Sequence, residues 1–438
     1  MNETKRSQTG VSAEQVLQKI TKHYLKSRDF NGITIAELLE ELETEWFTLR
    51  TLLKTLVAEE LVSVIDHDTD VNPNIYRLPL EPKESQLRKL DGDNVPIGCL
   101  YPRTKHLTQV IDRSSYDGKP YLLELALGEP QLAYRSFDLS ILEFYRNDPR
   151  YYYTNDDVRG TINVRDAYFE SEGMADSDQV LLSSFGFSYD DDLNRAVAVF
   201  LRYLADLSPE HQRIWKAKEI GGSYKLHPDY FRNTVYGEWG ECVPICNAFL
   251  KEVRLINQMT SAMERPPLFK EDFGEYGDDK PRKFGFLIRP TLEEFNNFVL
   301  LFDRMLSDNI DKKFFQNDVP YEREEERRDG KIVVHQKGTL QILDEWIRKW
   351  FTPYGNDWEP WERAMKSFRD LRKLRQKPAH SIDEDVFDQS YFRQQRELLI
   401  DVYNGVRTLR MLLENHPRVR ESGIEVPDWL REGRIWTI

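Results

Sequence analysis

The segment LRKLRQKPAHSI, Leu371 to Ile382, marks where one amphipathic helix stops and the chain turns toward another. Upstream, EPWERAMKSFRD carries Trp361, Ala364, Phe368 and Leu371 at steps of three and four, the spacing of one helical face. Arg375 continues that series, lying about 40° from Leu371 and about 20° from Phe368 at 100° per residue. Pro378 ends the helix. His380 therefore falls in the turn before a long helix, about Ser390 to Asn415, striped by Leu399, Val402, Val406, Leu409 and Leu413. Two earlier segments repeat the pattern. PTLEEFNNFVLLFDRMLS opens with Thr291 and Glu294 as a capping box and carries Leu292, Phe295, Val299, Phe302 and Leu306. TLQILDEWIRKWF carries Leu340, Leu343, Ile347 and Trp350. Four helices of this length make a bundle, with Phe295, Phe302, Ile347, Phe368 and Val402 expected inside. Between the first two, YEREEERRDGKIVVHQKG reads as a charged insertion with a hairpin turn at Asp329-Gly330.

Working outward toward the N-terminus, residues 11–80 read as three helices and a hairpin. The first helix spans about Ala13 to Ser27. The second opens at Thr34 with Glu37 three residues on, and the third runs from about Trp46 to Glu60 with Leu49, Leu52, Leu53, Leu56 and Val57 on one side. LVSVIDHDTDVNPNIYRLPL then alternates as a hairpin. Over this stretch the chain resembles the winged helix-turn-helix family. The third helix offers only Arg50 and Lys54 as cations, with Glu45, Glu59 and Glu60 nearby, which is poor provision for phosphate contacts. A protein-contact or spacer role fits it better than DNA reading. Glu81 to Pro96 reads as a polar linker. RYYYTNDDVRGTINVRDAYF reads as strands around an Asp-Asp turn. DLNRAVAVFLRYLADLSPEHQRIWKAKEI reads as two helices meeting at Ser208-Pro209, and CVPICNAFLKEVRLINQM as another amphipathic helix.

The 438 residues carry a net charge of −14, with 40% hydrophobic and 12% aromatic residues, enough for several packed cores. The negative balance disfavours sequence-independent nucleic-acid binding by the whole surface but leaves room for a local basic groove. Thr339 to Ile438 holds 17 Lys/Arg against 17 Asp/Glu, so the excess acidity lies upstream. No run approaches the ~18 apolar residues of a membrane span. The polar MNETKRSQTG lacks a signal-peptide core, and three cysteines argue against a disulfide framework. These features point to a soluble, cytoplasmic protein without a membrane partner.

Arg-x(4–6)-His occurs three times: Arg328 with His335, Arg375 with His380, and Arg410 with His416. Spacing selects none of them, and context favours the second. Arg328 and His335 flank the hairpin of the insertion, and Arg410 and His416 end the last helix, where cations complement the helix dipole. An Arg-x(4–6)-His pair between two helices of a bundle resembles the HEPN superfamily, many of whose members are metal-independent ribonucleases. The likeness covers about residues 285–420.

The resemblance implies a bundle that homodimerises, so that two Arg–His pairs face each other across a cleft. It implies no cofactor and no metal. His380 would take part in proton transfer during attack by an RNA 2′-hydroxyl, and Arg375 would stabilise the phosphorane-like charge. Gln376 stands where the family often has Asn or another polar residue. Arg369, Arg372, Lys373 and Lys377 would add a basic edge for the RNA substrate. Family members often act as toxins or in antiviral defence.

The plainer readings stay open beside these: Arg375 as a helix cap, His380 as a loop residue, the basic edge as a solvated face. The non-enzymatic alternative is a winged-helix regulator or adaptor whose helical domain serves dimerisation or a protein partner.

The expected fold is mainly α with a minor α+β part. It comprises a winged-helix-like domain over residues 1–85, an α+β middle domain over 86–285 and a HEPN-like helical bundle over 286–438. Cys99, Cys242 and Cys246 read as structural thiols, not a zinc site. Asp190, Asp191 and Asp192 read as caps for a following helix.

Overall fold

In the computed structural model, residues 10–27, 29–66, 75, 80–169, 174–274, 279–326, 332–376 and 384–437 are described. About half the chain is helical and 16% is strand, a mainly α architecture with α+β parts. It divides into two units. One comprises Met1–Ile141, Pro149–Tyr152 and Thr161–Glu238; the other comprises Leu142–Asp148, Tyr153–Gly160 and Trp239–Ile438.

The first unit begins with α1 (Ala13–Lys26), β1 (Ile33–Thr34), α2 (Ile35–Glu41), α3 (Trp46–Ala58), β2 (Val62–Asp66), α4 (Lys83–Lys89) and β3 (Gly98–Pro102). Thr34 and Glu37 form the expected capping box, each side chain accepting the other's backbone N–H. The strands make an antiparallel sheet in the order β1-β3-β2, with Leu100 opposite Ile33 on one side and Val64 on the other. Val16, Ile20, Leu38, Leu49, Leu53, Val64 and Leu100 share its core.

Two expectations change here. The described partner of β2 is β3, and most of the expected hairpin return (67–74 and 76–79) lies outside the described residues. The supposed linker contains α4. Its Gln86 accepts the Val64 N–H at 2.9 Å and its C-cap Leu90 is buried, which fixes this polar stretch to the sheet. The sheet therefore extends past residue 85.

Next come α5 (Thr104–Val110), α6 (Pro120–Ala126), β4 (Tyr134–Phe137), α7 (Ile141–Arg146), β5 (Tyr151–Asn155), β6 (Arg159–Val164), α8 (Asp166–Phe169), β7 (Leu181–Tyr189), β8 (Arg195–Phe200), α9 (Leu201–Ala205), α10 (Pro209–Lys216), β9 (Lys225–Leu226) and α11 (Pro228–Tyr236). The larger sheet has the order β4-β8-β7-β6-β5, with β9 beside β7. RAVAVF is a strand and not the expected helix: it is buried on both faces, where a short apolar run with branched residues suits a sheet. Ser208 does cap a helix, accepting the His211 N–H. Asp190 caps nothing helical; it accepts the N–H groups of Asp192 and Asn194 in the β7–β8 turn.

The second unit takes nearly all of α7 and the turn between β5 and β6, within Leu142–Asp148 and Tyr153–Gly160, and adds β10 (Val243–Pro244), α12 (Ile245–Ala262), α13 (Leu292–Leu306), β11 (Glu322–Glu326), β12 (Ile332–Gln336), α14 (Thr339–Trp350), α15 (Glu359–Gln376), α16 (Ser390–Glu414), α17 (Pro417–Glu421), α18 (Asp428–Glu432) and β13 (Ile435–Trp436). Phe295, Phe302, Ile347, Phe368 and Val402 are all buried in one core. That core also takes in α12, placed by sequence in a middle domain. Ile245, Ala248, Phe249, Val253 and Ile256 are buried on nearly every side, the mark of a central helix. The bundle thus starts near residue 245, not 286.

Trp350, expected on the stripe of α14, is half exposed at the helix end. The Thr291 hydroxyl accepts the Glu294 N–H, but the Glu294 carboxylate accepts from Ile288 and Arg289 at 2.9 Å, so the box is only half made. The insertion forms the antiparallel pair β11–β12, in register from Glu322↔Gln336 to Glu326↔Ile332. Its Asp329-Gly330 turn lies outside the described residues.

Candidate functional site

The face of α15 set by Trp361, Ala364, Phe368 and Leu371 is buried as its spacing requires. Arg375 continues the stripe to the end of the helix, half-buried, and turns its guanidinium onto two carboxylates of the α13 end. Its Nη1 lies 2.6 Å from Asp303 Oδ2 and 2.5 Å from Asp308 Oδ2. Arg372 Nη1 joins the same pair, at 2.8 Å from Asp308 Oδ1 and 3.4 Å from Asp303 Oδ2. The cluster therefore balances two cations against two anions.

Asp303 has no exposed surface, and a buried carboxylate is tolerable only when paired. Its Oδ1 and the Oγ of Ser307, one turn on, are buried without hydrogen-bond partners. Burial pushes the Asp308 carboxyl up, but hydrogen bonds from Arg372 and Arg375 outweigh it and hold the group below its ordinary value. Hydrogen bonds to Asp303 and Asp308 raise the Arg375 guanidinium in turn.

The rest of the expected basic edge is uneven. Arg369 donates to Asp344 Oδ2 at 2.8 Å, and Asp344 also accepts from Arg348 and the Trp361 indole. Lys373 and Gln376 are exposed. Lys377 and His380 lie outside the described residues, so the structure places Arg375 but not its expected partner.

The competing motif matches have other roles. His335 sits opposite Arg323 on the exposed hairpin, 3.5 Å from Glu325; Arg328 lies outside the described residues. Arg410 is not a dipole-complementing cation at a helix end. It is buried, with Nε 2.8 Å and Nη2 3.3 Å from the two oxygens of Glu252 on α12, and Nη1 2.6 Å from Glu414. His416 precedes α17, and burial lowers its pKa, helped by Arg418 and Arg265.

In the first unit, the two cations of α3 are already engaged. Arg50 donates to the Gly92 carbonyl at 3.0 Å and reaches Asp93 at 3.4 Å, while Lys54 pairs with Asp91.

The residues that sequence reasoning missed are Asp303, Asp308 and Glu252. Asp303 lies four residues from Val299 and eight from Phe295, so it is a lone carboxylate on the apolar face of α13. That position was a readable signal for a buried cation partner. Asp308 follows the helix, and nothing local marks it. Cys99 and Cys246 are buried, and burial pushes the Cys99 thiol up to about 11, which makes it inert at neutral pH. Compared with known proteins, the chain matches no family model, no curated sequence and no solved structure.

Proposed function

We propose that the protein is a metal-independent endoribonuclease of the HEPN type, acting as a homodimer in the cytoplasm, with Arg375 and His380 as catalytic residues. The observation that supports it is the seating of Arg375. A guanidinium stands at the last turn of α15, fixed by the buried Asp303 and the partly exposed Asp308, five residues before the histidine. Such support pre-organises a donor for charge that develops on phosphorus.

In this reading His380 takes the proton of the 2′-hydroxyl as its oxygen attacks the adjacent phosphorus. The P–O5′ bond breaks, the leaving oxygen acquires a proton, and the products carry 2′,3′-cyclic phosphate and 5′-hydroxyl ends. Arg375 donates to the non-bridging oxygens, trading part of its contact with Asp308 for the phosphate. Lys373 and Gln376 lie exposed beside it to meet the strand. A role as a toxin or antiviral effector would follow from such an activity.

Cleavage of varied RNAs by the full-length protein in EDTA is the test. His380→Ala should lower the rate by about 10²–10⁴, with Arg375→Ala comparably damaging. His335→Ala and His416→Ala should leave it nearly intact. Wild-type protein that cuts no RNA ends this reading.

A non-enzymatic adaptor is the second reading, favoured by the first unit. Arg50 and Lys54 are spent on Asp91, Asp93 and the Gly92 carbonyl, while Phe47 on the same helix is exposed. That surface suits a protein contact better than a phosphate backbone.

A further inference from the structure

We propose that the second unit carries a binding site for a small phosphorylated ligand of nucleotide size, in the groove beside α13. This goes beyond the cleavage reading and does not depend on it. The groove has a volume of about 800 Å³, within the range of small-molecule sites. One wall is a single face of α13, where Glu293, Asn297, Leu300 and Arg304 recur every three or four residues. The other walls are the end of α7 and the segment 281–291.

Five cations line it, Arg146, Arg282, Lys283, Arg289 and Arg304, in a chain of net charge −14. Two of them are matched by acids: Arg289 pairs with Glu143 at 2.6 Å and Arg146 with Glu294 at 2.8 Å. Arg282 donates to the carbonyls of Tyr145 and Asp148. Lys283 and Arg304 are exposed and have no ion pair or hydrogen bond among the described residues. Arg146 is nine-tenths buried, and its Nε is buried without an acceptor.

The lining acids offer less. Glu143 is held by Arg289. Glu294 is spent on Arg146 and two backbone N–H groups, and Asp385 accepts the Glu293 N–H at 2.8 Å. Glu293 and Asp385 have no ion pair among the described residues. A compact dianion therefore finds Lys283 and Arg304, two exposed cations without an ion pair, in a lining where five cations stand against four carboxylates, the chemistry that recognises phosphate.

The remaining surface fits a flat, partly polar ring. Phe286, Leu300 and Leu301 are half-buried apolar groups, and Asn147 and Asn297 present exposed amides. The carboxylates at the margin disfavour a long polyanion running through, so a small ligand fits better than a nucleic-acid strand.

Calorimetric titration of the full-length protein with ATP, AMP and pyrophosphate tests the site. ATP should bind with a Kd of about 1–100 μM, more tightly than AMP or pyrophosphate. Lys283→Ala and Arg304→Ala should each weaken it by about tenfold. Lys366→Ala, an exposed cation elsewhere in the unit, should leave binding unchanged, and circular dichroism should show all three variants folded. No saturable binding of any probe up to about 1 mM overturns the proposal. So does ATP binding that survives the double substitution, pyrophosphate binding as tight as ATP, or capture of single-stranded oligonucleotides in preference to nucleotides. None of these readouts depends on RNA cleavage.

Discussion

Glu252 and Arg410 show what a buried charge pair contributes. Burial raises the Glu252 carboxyl despite the hydrogen bonds from Arg410, so ionising it inside costs more than its partner returns. Arg410→Ala should therefore lower stability by about 3–5 kcal/mol, because Glu252 is left buried without its partner. Glu252→Leu with Arg410→Met should restore most of that loss in thermal unfolding. A double variant no more stable than Arg410→Ala would show that the pair itself holds α12 against α16.

Asp308 behaves oppositely. Its folded pKa lies below the unfolded value, so its contribution is complete above about pH 4 and fades as pH falls through the folded pKa. Asp308→Asn should flatten the acid limb of a urea-midpoint profile below about pH 4. It should also loosen Arg375, and with it RNA cleavage if that residue acts on phosphate. An acid limb identical to wild type would remove Asp308 from the account.

Among the elements, periodicity was a reliable guide where one face meets a core. The stripes of α13, α15 and α16 and the capping residue Thr34 were all readable. It failed where burial is two-sided or where a single side chain anchors a polar stretch. The strand of Arg195–Phe200 looked helical because periodicity cannot separate a short run buried on both faces from a helix. α4 was hidden because its hold on the sheet comes from Gln86 and Leu90, and no apolar stripe marks it. At the candidate site the arginine's position was legible, but its neutralising carboxylates arrive from another helix through the tertiary fold.

Gly405 gives the α15–α16 contact a sharp test. A Cβ there would come within 2.6 Å of the Phe368 ring and 2.9 Å of Ser367 Oγ. Gly405→Val should therefore force the two helices apart and cost about 1–3 kcal/mol, read as a lowered melting temperature. Replacing the β11–β12 hairpin with a short Gly/Ser linker should leave melting nearly unchanged, since both strands are almost wholly exposed. A large drop would show that the hairpin is a structural strut.

For the molecule as a whole, the cleavage reading requires two Arg375–His380 pairs in one assembly. Light scattering at micromolar concentration should give twice the 51.9 kDa chain mass. A strict monomer with full ribonuclease activity would contradict the HEPN-type arrangement while leaving the chemistry of Arg375 to be tested separately.

The two units are also interleaved along the chain. Leu142–Asp148 and Tyr153–Gly160 belong to the second unit, yet they are embedded in the sequence of the first. The chain passes from one unit to the other at five separate peptide bonds, so no single cut yields two complete halves. During translation these two short segments leave the ribosome roughly 80 residues before Trp239, where the rest of their unit begins. At 5–20 residues per second they wait several seconds for α12 alone and longer for the other helices. The first unit can gather its sheet during that interval, but the second must be assembled last, around segments made long before. Nascent chains stalled before α16 should therefore be protease-sensitive across Leu142–Asp148 and gain protection only once that helix has emerged.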